Sequence, residues 1–543
     1  MTNTRYLFVV GGVMSSVGKG IASASIGKIL QSRGFSVSII KCDMYVNIDA
    51  GTMRPTEHGE VFVGDDGIEA DQDLGTYERF VDQVSTRLHY ITTGQVYQEV
   101  IRRERNLEYG GEDVEVVPDI PDEILRRINL VVKKDKSDFV IVEIGGTVGE
   151  YQNVLFLEAA RMMKLKAREN VLFALVSYLP IPPMVGEMKS KPTQYAARTL
   201  NGAGIQADFI ICRSEQPLDK KRREKIATFC NVSAENAISA PDVRSVYDVP
   251  VNFAKERLDE KILKAFGLAP RRRNMKEWRA LARQIRRLKR EAKIAVVGKY
   301  FGTGDFELAD SYISVIEAAK HACWAANVRP NFTWVDSEDY EKDPKAVKEL
   351  AQFDGVIVPG GFGTRGIEGI ISAIKYVRTH HIPYLGLCYG MQLATIEFSR
   401  HVAGIKGATT AEQDPGAKHQ VIHIMPDQEK KLLARDYGAT MRLGSWPAKL
   451  VRGSKVQKAY GKSRIDERHR HRYEFNNAYR KRLEAAGLVI SGTSPDNRIV
   501  EIIELKNHPF FVGTQFHPEF KSRPFKPHPL FREFVKASLR KRR

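Results

Sequence analysis

A cysteine stands between two glycines in Gly386-Leu-Cys388-Tyr389-Gly390, after the apolar run Pro383-Tyr-Leu and before the helically spaced Met391-Gln-Leu-Ala-Thr-Ile-Glu-Phe. Strand, tight turn and helix in that order form a nucleophile elbow, with sulfur where a hydroxyl is more usual. Flanking glycines let the turn project the side chain, and the N-terminus of the next helix favours thiolate. Such a nucleophile needs a base and a group that orients the base. His517-Pro-Glu519, beside an apolar strand, offers both, whereas His508-Pro509 and His528-Pro529 lack a following acid and read as turns. Gly360-Gly361-Phe-Gly363, after Val356-Ile-Val-Pro, has the backbone N–H groups that an oxyanion hole requires. This set suits attack of a thiolate on a carbonyl carbon.

A second chemical signal lies near the N-terminus. Gly11-Gly-Val-Met-Ser-Ser-Val-Gly-Lys-Gly20 follows the apolar Tyr6-Leu-Phe-Val-Val and precedes a helical pattern. That is the setting of a phosphate-binding loop, yet the usual spacing fails. Val13 stands where the first glycine belongs, and Gly20 where Ser or Thr would bind magnesium. Backbone N–H groups, Lys19, Ser15 and Ser16 still suit the phosphates of a nucleotide, provided that acids elsewhere hold the metal. Asp73, in Asp71-Gln-Asp-Leu-Gly75, and Glu143, at the end of Phe139-Val-Ile-Val-Glu-Ile, are placed for that task.

Elements that position these residues follow from the pattern. Continuous apolar strands at Tyr6–Gly12, Ser36–Cys42, Asp138–Gly146, Asn170–Ser177 and Asp208–Cys212 alternate with helical segments, as in a parallel sheet buried on both faces. A second alternation starts at Lys293-Ile-Ala-Val-Val-Gly. The fold class is therefore α/β, with two doubly wound domains. Residues 1–266 form a P-loop-type sheet domain, 267–291 a basic helical linker, and 292–543 the domain of the cysteine elbow. In the linker, Trp278, Leu281, Ile285 and Leu288 recur at helical spacing, which predicts an amphipathic connector with a solvated basic face.

Composition narrows the class. The chain has 543 residues, 43% hydrophobic, enough for two cores, since a single core stops growing near roughly 250–300 residues. Five scattered cysteines without a Cys-x-x-Cys suggest neither a disulfide framework nor zinc, and point to a reducing cytoplasm. Most of the net charge of +18 sits in 271–290, with ten basic residues and one acidic, and in a basic C-terminal tail. Neither a nucleic-acid partner nor a membrane is expected.

Cys388, the His-Pro-Glu segment and the upstream Pro-Gly-Gly-Phe-Gly together resemble the class I glutamine amidotransferases, whose thioester chemistry releases ammonia. The resemblance implies that Cys388 is the nucleophile, His517 the base, Glu519 its orienter, and the N–H groups of Gly361 and Tyr389 the oxyanion hole. Over essentially the whole chain the sequence also resembles the CTP synthase family. The motifs are GGVMSSVGKG, GTMRPTEHGEVFVGDDGIEADQDLGTYERF, VEIGGTVGE, KSKPTQ, ICRSE, VPGGFGTRG, MRLG, RHRHRYEFNN and QFHPEF. That likeness implies amination of UTP to CTP with ATP and glutamine, phosphorylation of uracil O4 being the activating step.

Residue by residue, the resemblance places ATP on Ser16, Val17, Gly18, Lys19, Gly20 and Ile21, with Asp73 and Lys41. Mg2+ falls to Asp73 and Glu143. UTP, or inhibitory CTP, falls to Ser15, Glu150, Tyr151, Gln152, Lys189, Ser190, Lys191, Pro192, Thr193, Gln194 and Lys225. Glutamine falls to Gly361, Tyr389, Gly390, Met391, Gln392, Glu412 and Arg472. GTP is the expected activator, CTP the feedback inhibitor, and the assembly a homotetramer. The chain departs from the family pattern at Met44, Gln152, Tyr389, Thr410-Ala411, in Pro241 near the expected adenine site, and in the loop after Lys299. Two alternatives remain at this stage. One is another glutamine-dependent amidoligase of the cobyrinic-acid type. The other is a P-loop ATPase that binds DNA through the basic linker.

Overall fold

The computed structural model describes residues 4–540 except 273, 300–301, 304–305, 308, 426–427 and 429–437. Part of the loop after Lys299, part of the basic linker and the end of the basic tail therefore lie outside the described residues. The chain divides into two compact units, one of residues 1–49 and 73–286, the other of residues 50–72 and 287–543.

The first unit is built on seven parallel strands in the spatial order Tyr90–Thr92, Val37–Asp43, Phe139–Ile144, Arg5–Gly11, Val171–Tyr178, Phe209–Ser214 and Ala237–Pro241. The five strands read from the sequence are all present. Two short edge strands, Tyr90–Thr92 and Ala237–Pro241, carry too few residues to stand out as apolar runs. Crossover helices cover both faces, so residues on every central strand are buried, Leu7, Ile141 and Leu175 completely. Helix Lys19–Ser32 starts straight from the glycine loop and ends before Gly34, whose φ of +92° closes the turn.

The amphipathic connector is the helix Lys276–Arg287. Its apolar face belongs to the first unit. Trp278 is buried against Phe80 and Tyr247, with ring centroids 5.2 and 5.7 Å away, and its indole N–H donates to the Tyr247 carbonyl at 2.9 Å. Arg279 and Arg283 face solvent.

The second unit carries a nine-stranded mixed sheet. Five parallel strands run in the order Arg329–Asp336, Glu291–Gly298, Gly355–Val358, Tyr384–Leu387 and Phe511–Thr514. Four antiparallel strands continue it as Val500–Leu505, Leu488–Thr493, Arg442–Leu450 and Arg464–His471. The last apolar strand stops at Thr514, and His517-Pro-Glu lies just beyond it, at the start of a one-turn helix, Pro518–Lys521.

Residues 50–72 are remote in sequence from the rest of this unit. Their short ribbon, Phe62–Val63 against Glu69–Ala70, is held by two arginines of the Arg464–His471 strand. Arg468 donates to Asp65 at 2.5 Å and to the Val63 carbonyl at 3.1 Å, while Arg470 donates to Glu69 at 2.8 Å and to the Gly51 carbonyl at 3.1 Å. These ion pairs explain how Arg468 is fully buried.

Candidate active sites

In the second unit, Cys388 is the residue between strand Tyr384–Leu387 and helix Tyr389–His401, with φ of +49°. That left-handed backbone is strained for any residue but glycine, and it is the conformation expected of an elbow. Gly390 is required because a β-carbon there would strike the Val358 carbonyl. The Cys388 amide donates to the Thr514 carbonyl at 2.6 Å, which locks the elbow to the neighbouring strand. Gln515 donates to the Cys388 sulfur at 3.6 Å, and the sulfur lies 3.7 Å from the Arg470 carbonyl.

His517 faces that sulfur. Its Nδ1 bonds Glu519 at 2.7 Å, its own backbone N–H donates to the Arg468 carbonyl at 2.8 Å, and its ring stacks on Phe520. Burial alone pushes the imidazole down, but the Glu519 carboxylate and the Cys388 sulfur outweigh it and raise His517 to about 10. The ring is thus poised to hold the proton that the thiol gives up. Gly360 passes so close to His517 that a β-carbon there would meet the ring carbon Cε1 at 2.8 Å. The glycine-rich loop therefore lies directly over the base.

Cys388, His517, Gly360, Gly361, Glu412 and Arg472 share one cavity of about 590 Å3. Glu412 and Arg472 supply the opposite charges that an amino acid's ammonium and carboxylate need. Burial raises the Glu412 carboxyl above its usual range, and its Oε1 accepts from the Gly363 amide at 2.7 Å. Arg472 is oriented by Gln428 and Thr440, each at 2.9 Å. Gln392 donates to the Tyr473 carbonyl at 2.9 Å, and Met391 is fully enclosed in the core. Gly51, Thr52, Met53, Pro55, Glu60 and Val61 also line the cavity, a contribution the sequence pattern did not reveal. Behind the site, His469 and His471 are buried 3.1 Å apart beside Arg442, and burial drives both well below the usual histidine range.

In the first unit, the loop Gly11–Gly20 and the strand ends Lys41 and Glu143 come together. Lys19 is buried, and its Nζ donates to the Gly146 carbonyl at 2.7 Å. Lys41 pairs with Asp73 and, at 3.1 Å, with Glu143. Tyr77 donates to the other Glu143 oxygen at 2.5 Å. Burial raises the Glu143 carboxyl above its ordinary range. Lys41 and Glu143 stand near the carboxyl ends of parallel strands, Lys19 and Asp73 at the starts of helices. This set of two carboxylates and two ammonium groups is of the kind that suits phosphates and a hard cation.

Comparison with known proteins gives the family. The model of the CTP synthase N-terminus matches residues 5–268, and that of class-I glutamine amidotransferases matches 307–537. A CTP synthase of Carboxydothermus hydrogenoformans is 51% identical over 538 residues, covering 99% of this chain and 99% of that protein. One of Caldanaerobacter subterraneus subsp. tengcongensis is 51% identical over 537 residues, covering 98% of each. The chain belongs to the CTP synthase family. CTP synthases aminate UTP to CTP with nitrogen from glutamine, using ATP, and the reaction is a step of pyrimidine biosynthesis. A solved Trypanosoma brucei CTPS glutaminase domain with bound acivicin is 39% identical, covers 46% of this chain and 94% of that one, and has a TM-score of 0.43.

The remaining residues that the CTP synthase likeness singles out lie in the first unit. Ser190–Gln194 open the helix Lys191–Gly202, where Ser190 accepts from Gln194 at 3.0 Å and Ser177 donates to Thr193 at 2.8 Å. Lys189 pairs with Glu187 at 2.8 Å, and Lys225 is exposed on the helix Lys220–Cys230. Glu150 accepts from the Thr147 amide at 2.8 Å and from its hydroxyl at 2.6 Å, while Tyr151 and Gln152 are exposed. The Val148 amide donates to the Gly11 carbonyl at 2.7 Å, so this segment is tied to the glycine loop.

Proposed function

We propose that the two sites divide the family's reaction as follows. Cys388 attacks the side-chain amide carbon of glutamine. Its proton passes to His517, which returns it to the departing ammonia. Gly361 and Tyr389 stabilise the oxyanion through their N–H groups, and water then cleaves the thioester to glutamate. In the first unit, the γ-phosphoryl group of ATP moves to O4 of UTP, leaving ADP. Ammonia attacks C4, inorganic phosphate departs, and CTP remains.

The observation that carries this assignment is the convergence of Asp73 and Glu143 on Lys41, beside Lys19. Those oxygen donors fit Mg2+: both are carboxylates, and Asp73 lies so close to Gly20 that no side chain fits there. Asp73 and Glu143 would hold Mg2+, which would supply positive charge to offset the phosphates. Lys19 and Lys41 hold the phosphoryl oxygens, and the glycine-loop amides hold the rest of the triphosphate. A cavity of about 400 Å3 between Gly18, Ile21, Arg213, Pro241 and Phe253 supports seating of the adenosine. Ser15, Ser190–Gln194, Lys189 and Lys225 are the side chains for UTP, with Glu150–Gln152 for inhibitory CTP.

The family resemblance further supports GTP as activator, a homotetramer and a cytoplasmic location. Five buried, unpaired cysteines agree with a reducing compartment. The test is to supply UTP, ATP, Mg2+ and glutamine and to quantify CTP. Formation of CTP that chelation of Mg2+ abolishes is expected. Amidation of a corrinoid acid without CTP would refute the assignment.

A further inference from the structure

Gly363 is the point at which the glycine-rich loop over the nucleophile is fastened. Its carbonyl accepts from Lys299 Nζ at 2.6 Å and from the Tyr389 hydroxyl at 2.8 Å, and its amide donates to Glu412 at 2.7 Å. Both lone pairs of the carbonyl and the single donor of this residue are thus engaged by side chains. Lys299 follows directly on the strand Glu291–Gly298, and the residue is 3% exposed. Its ammonium lies 4.5 Å from the centre of the Tyr389 ring, a cation–π contact that fixes the two anchors to each other.

The arrangement has a chemical consequence. An oxyanion hole works only when its donors stand about 2.7–3.1 Å from the developing charge. Here one donor, the Tyr389 amide, sits on a rigid helix, and the other, the Gly361 amide, on a glycine-rich loop whose one packing side chain is Phe362, set against Arg470 with 5.2 Å from guanidinium to ring centre. Glycine carries the largest backbone freedom, so the loop must be held by hydrogen bonds or its donor wanders. Tyr389 joins the halves: its backbone supplies one donor, and its hydroxyl holds the loop bearing the other. Lys299 adds a charge-assisted bond to the same oxygen, stronger than a neutral one.

We propose that Lys299 is a positioning residue for glutamine hydrolysis, holding the Gly363 carbonyl jointly with the Tyr389 hydroxyl so that the Gly361 amide stays aligned over Cys388. The inference rests on the assignment of Cys388 as the glutaminase nucleophile. Lys299 holds the loop through the Gly363 carbonyl, and its charge also favours the ionised form of the buried Glu412, so kcat reports the loop whereas KM also reports Glu412.

The test uses the full chain with Lys299→Met, Lys299→Arg, Tyr389→Phe and the Met/Phe double variant. Glutamate release is measured against glutamine concentration, and ammonia-supported CTP formation reports on the other site. Lys299→Met should lower kcat about tenfold, because a loosened oxyanion donor acts on the transition state, with any accompanying rise in KM traced to Glu412, which loses the lysine charge beside it. Lys299→Arg should restore most of the loss. Tyr389→Phe should cost a few-fold, and the double variant more than the product of the two, since each anchor partly covers for the other. Ammonia-supported synthesis by Lys299→Met should match wild type, which shows that the protein is folded.

Wild-type kcat in the double variant would overturn the proposal, as would a loss by Lys299→Met confined to KM or shared equally by ammonia-supported synthesis. A wild-type chain that releases no glutamate would instead remove the assignment of Cys388 itself.

Discussion

The carboxylate of Asp73 occupies the space that a β-carbon on residue 20 would fill. That relationship explains why a loop in the setting of a phosphate-binding turn lacks the usual hydroxyl after its lysine. The acid arrives from a distant helix, Asp73–Val81, and takes the side-chain volume next to Lys19. A serine hydroxyl and this carboxylate are alternatives for one position. Gly20→Ser should therefore displace Asp73 and abolish CTP formation from either glutamine or ammonia. CTP formation at the wild-type rate would show that Asp73 is dispensable.

Removing the charges themselves gives the second prediction. Lys19→Ala and Asp73→Asn should each stop synthesis with both nitrogen sources. A preorganised electrostatic contact of this kind is worth ~3 kcal/mol, or more than 100-fold in rate. Glutamate release from glutamine should persist in both variants under the same conditions. Steady-state CTP and glutamate assays run side by side would expose any variant that loses both.

Cys388→Ala should behave in the opposite way. No thioester forms, so glutamine ceases to support CTP, while ammonia still does. A variant that uses glutamine at the wild-type rate would contradict the elbow assignment.

The pH dependence of glutamine use should report Glu412. Burial favours its neutral form, so its carboxyl titrates above the ordinary value of 4.5. The ammonium of glutamine requires the ionised form. As pH falls, the carboxylate is therefore lost while an ordinary surface acid remains charged. The advantage of wild type over Glu412→Gln in kcat/KM for glutamine should be greatest near neutrality and shrink on acidification. A constant ratio from neutrality down through the carboxylate range would rule out ionised Glu412 as the ammonium partner.

Much of this was written in the local sequence, and the reasons differ by residue. The elbow was legible because strain, glycines and a helix start all fall within five residues. Asp73 and Glu143 were legible only as acids beside glycine-rich stretches. Their meeting at Lys41 depends on strand order, which no local pattern encodes. Arg-His-Arg-His-Arg reads locally as a basic surface strip, yet Arg468, His469 and His471 are buried. What buries the arginine is Asp65, some four hundred residues earlier, in a stretch that folds with the second unit. Lys299 gave no signal at all: a lysine at a strand end is ordinary, and its partner carbonyl lies in a glycine loop far downstream.

The linker offers a check on stability. Trp278 fills a buried site against Phe80 and Tyr247. Trp278→Ala should cost about 3–5 kcal/mol, as large aromatic deletions in cores do. Reversible denaturation should locate the loss in the unfolding of the first unit. A change below about 1 kcal/mol would mean that the connector is not part of that core.

The central claim is that UTP is activated at O4 by ATP and then aminated with glutamine nitrogen. The most direct measurement supplies UTP labelled with heavy oxygen at O4 and glutamine labelled with heavy nitrogen in its amide, with ATP and Mg2+, and follows the products by mass spectrometry. The account predicts one heavy oxygen in inorganic phosphate for every CTP formed, and heavy nitrogen in the 4-amino group of that CTP. Heavy oxygen released to water, with unlabelled phosphate, would contradict it.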